Sequence, residues 1–85
     1  MKSSALNNGV EFLLVDLDTA LTFIDIAETT ADEETRRRNF HNARYAYDTV
    51  LRLMQKVTLD DAQNEALQKQ LTLLRTRLEG VGQKF

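Results

Sequence analysis

Cysteine, proline and tryptophan are all missing from this 85-residue chain. Without cysteine there are no disulfides, thiolate metal sites or thiol nucleophiles, and nothing marks a redox compartment. Without proline, helices can run long uninterrupted, and the three glycines, Gly9, Gly80 and Gly82, lie near the ends. A single histidine, His41, rules out a multi-histidine site within one chain. No long hydrophobic run is present. The most apolar stretch, residues 10–27, is broken by Glu11, Asp16, Asp18 and Asp25, which a bilayer-spanning helix would not carry. The opening residues, Met1 to Gly9, lack the apolar core of a signal peptide. A cytoplasmic location away from membrane is therefore expected. There is also no Gly-rich phosphate loop and no Ser/His/Asp set, so no enzyme and no cofactor are expected.

What remains has the composition of one small globular domain, with 42% hydrophobic and 28% charged residues. Chains of this size bury about 60–65% of their unfolded surface, so stability leans on good packing or on a partner. The net charge of −2 is unevenly spread: residues 1–35 carry −7, residues 36–57 carry +5, and the rest balance. An acidic first helix beside a basic second one suggests charge complementarity inside a bundle.

Helical periodicity predicts three amphipathic helices over about residues 8–28, 31–56 and 59–79. On the first, Val10, Leu13, Leu17, Ala20, Leu21 and Ile24 share one face with Leu14. Thr30 with Glu33 reads as a capping box opening the second helix, and Thr58 reads as the N-cap of the third. Phe40, Ala43, Tyr47, Val50 and Met54 centre the second helix's apolar face, flanked by Ala46, Leu51, Leu53 and Val57. Arg44–Asp48 and Asp48–Arg52 are spaced for i,i+4 pairs. Leu67, Leu71, Leu74, Leu78 and Val81 form a narrow seam on the third helix, with Gly80 or Gly82 as its cap. Short connections make the expected fold an all-α, three-helix, up-down-up antiparallel bundle. Residues 1–7 are expected to be a flexible start, 8–81 the single domain and 82–85 a frayed end.

The stretch from Asn42 through Arg44, Tyr45, Ala46, Tyr47 and Asp48 to Met54, followed by Asp60-Asp61-Ala62 and Leu71 to Leu78, resembles a tetratricopeptide-type helical hairpin over residues 40–80. The same segment is similar to the last two helices of microtubule-interacting and trafficking domains. It also resembles a group of short bacterial helical proteins carrying an Asn-Ala-Arg-x-Ala-Tyr-Asp-Thr-Val-Leu run, matched here by residues 42–51. These resemblances imply a protein-binding scaffold rather than an enzyme.

Two sets of residues stand out as candidate sites. A second apolar stripe on the first helix, Phe12, Val15, Phe23 and Ile26 with Thr19 among them, lies opposite the core face. Two companion helices cannot easily cover both sides of one member, so this stripe is expected to bind protein. The expected partner is a second copy in a two-fold dimer, paired antiparallel through helix 1. Asp16, the one acid on that side, is expected to form an ion pair with an arginine of helix 2 or of the other chain. The second set is Arg37, Arg38, His41, Arg44 and Arg52, a basic face that could contact anions or nucleic acid. The acidic isoelectric point and the neighbouring Asp32, Glu33 and Glu34 weigh against nucleic acid. A third possibility is a regulatory or antitoxin-like subunit that folds with another protein. Asp16, Asp18, Asp25 and Glu28 are spaced too widely along one helix to share a metal ion.

Overall fold

The computed structural model describes the backbone of residues 3–85 and the side chains of residues 9–85. Three helices follow one another, α1 (Ser3–Thr29), α2 (Glu33–Met54) and α3 (Asp61–Gly80), packed as an up-down-up bundle 47 × 22 × 17 Å in extent. The backbone of α1 is helical five residues upstream of the expected boundary at residue 8.

Both N-caps sit two residues later than the sequence pattern suggests. Asp32 caps α2: its carboxylate accepts from the Thr35 amide at 2.8 Å and from the Thr35 hydroxyl at 2.6 Å. Thr30 instead accepts from the Asp32 amide at 3.1 Å, shaping the turn. Asp60 caps α3 in a reciprocal box, accepting from the Gln63 amide at 2.7 Å while the Gln63 side chain accepts from the Asp60 amide at 3.0 Å. An aspartate wins over a threonine at each site because a full negative charge faces the orphan amides and the helix dipole. At the other end of α3, the Gly82 amide donates to the Glu79 carbonyl at 3.0 Å and the Gln83 amide to the Leu78 carbonyl at 3.1 Å. That is a Schellman motif, and Gly82, at φ 96°, supplies the left-handed residue it requires.

The core is built around α1. Leu17 and Ile24 of α1, Val50 of α2, and Leu67, Leu74 and Leu78 of α3 are completely buried. The leucine seam of α3 is internal as its spacing predicts, save for Val81, which lies beyond the helix and is exposed. Leu51 and Val57, placed on the inner face of α2 by periodicity, sit at its margin and are exposed. Contacts of α1 with α2 are extensive and those with α3 fewer, while α2 and α3 touch sparsely.

Among the described residues, the acidic side chains of the first helix make their interhelix contacts with α3 and not with the arginine run of α2. Arg77 donates to Glu28 at 2.6 Å and to Asp25 at 3.1 Å, and Gln70 donates to Asp18 at 2.8 Å. Partial burial by itself would lower the Arg77 pKa; the two carboxylates outweigh it and raise the value. Arg36 spans from α2 to the end of α1 by binding carbonyls, those of Thr30 at 2.8 Å and Ala27 at 3.3 Å. Arg44 pairs with Asp48 at 3.2 Å, but Arg52 makes no pair with it.

Residues 82–85, expected to fray, turn back across α2. Arg44 donates to the Lys84 carbonyl at 2.8 Å and to the Gln83 side chain at 3.3 Å. The Phe85 ring lies 3.9 Å from the Arg44 guanidinium carbon and 4.9 Å from that of Arg75. Tyr47 meets it edge-on, with centroids 5.0 Å apart. The tail thus bridges the two helices that pack together least.

Candidate interaction face on α1 and α2

An outer helix of a small bundle normally turns charged residues to water. The outward side of α1 does not. Phe12, Val15, Thr19, Thr22 and Ile26 occupy it, a continuous arc of the helix with no charged side chain. Phe12 is 70% exposed, Val15 58% and Ile26 42%, so the chain's own helices leave this stripe open. Phe12, Thr19 and Ile26 recur at steps of seven. They form one column with rungs about 10.5 Å apart.

Phe23 departs from that expectation. Its side chain is half-buried and packs on the core from the edge of the stripe. There it helps line an open groove of about 360 Å³ between α1 and α2, with Asp16 and Thr19 on one wall and Tyr45, Ala46 and Thr49 on the other. Asp16 stands exposed at the rim and makes no hydrogen bond or ion pair among the described residues, so the expected pair with an arginine of helix 2 is not formed. The Thr49 hydroxyl is buried and has no hydrogen-bond partner. An unmet buried hydroxyl costs about 1–3 kcal/mol.

Across the groove, α2 presents Arg38, Tyr45 and Arg52, again at steps of seven. Tyr45 is 67% exposed. Periodicity places it on the polar face of the second helix, midway between two arginines, but it is not one of the candidate site residues of the sequence. Among the described residues, neither Arg38 nor Arg52 makes a hydrogen bond or salt bridge.

The five basic-face residues do not form one patch. Arg44 is committed to Asp48 and the tail. Arg37 and His41 border a second open cleft that also holds Glu28 and Glu33, whose charges are met by Arg77 and Arg36. Arg38 and Arg52 belong to the outward column of α2. A phosphate backbone would find basic and acidic groups alternating here rather than a track of positive charge.

Among the described residues, no group of three His, Cys, Asp or Glu side chains is placed to hold a metal ion. No described helix is long and apolar enough to cross a membrane. No protein-family profile, no curated protein and no solved structure matches the chain.

Proposed function

We propose that this chain is a non-enzymatic helical interaction module that associates with a second copy of itself through the outward face of α1. The observation that carries the reading is the exposure of Phe12, Val15 and Ile26 on a charge-free arc of the central helix. Covering such side chains gains roughly 1.5–3 kcal/mol each. The face is two helices wide, about 20 Å, and about 30 Å long, which offers some 600 Å² per partner. That is at the lower end of the areas buried in specific complexes, so association is to be sought in the micromolar range.

Sedimentation equilibrium over a concentration series tests this. The wild-type chain shifts from monomer toward dimer between about 1 and 100 µM, while Phe12→Asp stays monomeric with unchanged helical circular dichroism. Phe12 suits this better than Phe23, whose ring also supports the core. A wild-type chain that is monomeric across the whole series would overturn the proposal.

A further inference from the structure

The geometry points to a specific arrangement for that pair: a two-fold axis running along the helices, so that α1 of each copy lies against α2 of the other. This inference rests on the self-association proposed above and says which surfaces meet. It replaces the antiparallel α1-on-α1 pairing that the apolar stripe alone suggests.

Three parallel columns cross the open face, all with the same repeat of seven residues. Glu11, Asp18 and Asp25 run along the flank of α1; Phe12, Thr19 and Ile26 run along its outward ridge; Arg38, Tyr45 and Arg52 run along the outward ridge of α2. The two helices are antiparallel, and their register is set at both ends. Arg36 reaches the Ala27 carbonyl at 3.3 Å near one end, and Gly9 lies level with the Val57 side chain, 4.0 Å from where a Cβ would stand, near the other. Phe12 is therefore level with Arg52, Thr19 with Tyr45 and Ile26 with Arg38.

A two-fold contact between such faces has two choices. With the axis across the helices, each column meets its own copy running the other way. Glu11 then faces Asp25 of the second copy and Arg38 faces Arg52, so like charges oppose on both flanks. With the axis along the helices, the two sides of the face exchange. The acidic flank and apolar ridge of α1 then meet the Arg38–Tyr45–Arg52 ridge of the second copy, rung against rung. Arg52 lies against Phe12 and Glu11, Tyr45 against Thr19, and Arg38 against Ile26 and Asp25. Each guanidinium gains an aliphatic or aromatic surface and an adjacent carboxylate, both of which suit arginine at an interface. Like charges set directly opposite suppress the first arrangement; opposite charges favour the second. Among the described residues Glu11, Arg38 and Arg52 have no salt bridge, so the Glu11–Arg52 contacts break none there, whereas Asp25 already pairs with Arg77 at 3.1 Å and would be shared with Arg38.

Reversing one column tests the arrangement. In Arg38→Glu/Arg52→Glu, Glu11 and Asp25 of α1 would each face an acid across the interface, and self-association weakens at least tenfold. Adding Glu11→Arg to that chain, at an acid with no salt bridge among the described residues, restores part of it. In the crosswise arrangement Arg38→Glu/Arg52→Glu merely exchanges one like-charged pair for another, leaving association unchanged. That result would overturn the inference while leaving the self-association reading intact, whereas a monomeric wild type would remove both. The absence of native cysteine permits a second test. Mixed Thr19→Cys and Tyr45→Cys chains form an intermolecular disulfide with each other under mild oxidation, and Thr19→Cys alone does not. Efficient cross-linking of Thr19→Cys to itself would place the two α1 helices face to face and refute the assignment.

Discussion

Replacing Phe85 by alanine should loosen the bundle out of proportion to the residue's place at the tail. Its ring is held on three sides, 3.9 Å from the Arg44 guanidinium carbon, 4.9 Å from that of Arg75, and edge-on to Tyr47 with centroids 5.0 Å apart. The edge-to-face pair contributes about 0.5–1.5 kcal/mol beyond burial. The Arg44 contact, at a half-exposed site, contributes about 0.5–1 kcal/mol. Since these terms overlap, about 1.5 kcal/mol is a fair total. For a domain of this size, about 4–8 °C of Tm accompanies each kcal/mol, which puts the loss at about 6–12 °C. Thermal unfolding should be followed by circular dichroism at low micromolar concentration, where association does not add to stability. Hydrogen exchange should localise the loss to the facing parts of α2 and α3, the pair that packs together least. Phe85→Leu keeps apolar cover but not the aromatic face, so it should recover only part of the difference. If Phe85→Ala melts within about 1 °C of the wild type, the tail does not bridge the helices and the reasoning fails.

The core and its ends yield further expectations. Leu74→Ala empties a completely buried position and should cost about 2–5 kcal/mol, enough to leave much of this small domain unfolded at room temperature in a denaturant-free melt. Arg77→Met removes both α3-to-α1 ion pairs but keeps the packing of the stem. Each pair is part-exposed, so the loss should be below about 1 kcal/mol and should shrink further in high salt. Gly82→Ala meets no steric obstacle but forces an alanine into a φ of 96°, and should destabilise by about 1–2 kcal/mol in urea titrations. The Asp32 carboxyl titrates below the ordinary aspartate range, chiefly because the Thr35 hydroxyl and then the Thr35 amide donate to its charged form. A lowered native pKa means its contribution is complete above the unfolded value, about 3.9, and is lost as pH falls through the native one. The Tm gap between wild type and Asp32→Ala should therefore hold steady at neutral pH and close in strong acid; a gap that persists there would contradict the capping role.

Much of the internal architecture is legible in the order of residues. The leucines of α3 recur at alternating steps of four and three, which can only be one stripe on a helix, and four of the five seam positions are buried. Val81 fails because the Schellman turn at Gly82 ends the helix before it. Both caps were misplaced by two residues for a related reason. Threonine and aspartate each satisfy the local pattern, and the choice between them depends on where the connecting turn lets the chain enter the next helix. The charge blocks misled more seriously. An acidic first segment followed by a basic second one suggested pairing between α1 and α2. Yet Asp18 and Asp25 project from the side of α1 that faces α3, so Gln70 and Arg77 receive them.

The candidate face was half visible. Phe12, Val15, Thr19 and Ile26 form an apolar stripe opposite the core by periodicity alone, because the angle between helical positions is set by the chain's own geometry. Which part of that stripe stays open is a different matter. Phe23 lies at its edge, and only the placement of α2 draws its ring into the groove beside Ala46. The alignment of Tyr45 with Thr19, and of Arg38 and Arg52 with the two ends of the stripe, likewise depends on the antiparallel register of two helices. The sequence by itself determined three helices and the side each one buries, since local spacing suffices for that. Only the tertiary structure decided which charges meet, where the tail returns, and what lies next to the uncovered stripe. Those relations join residues far apart in the chain, and they come into being only when the helices dock.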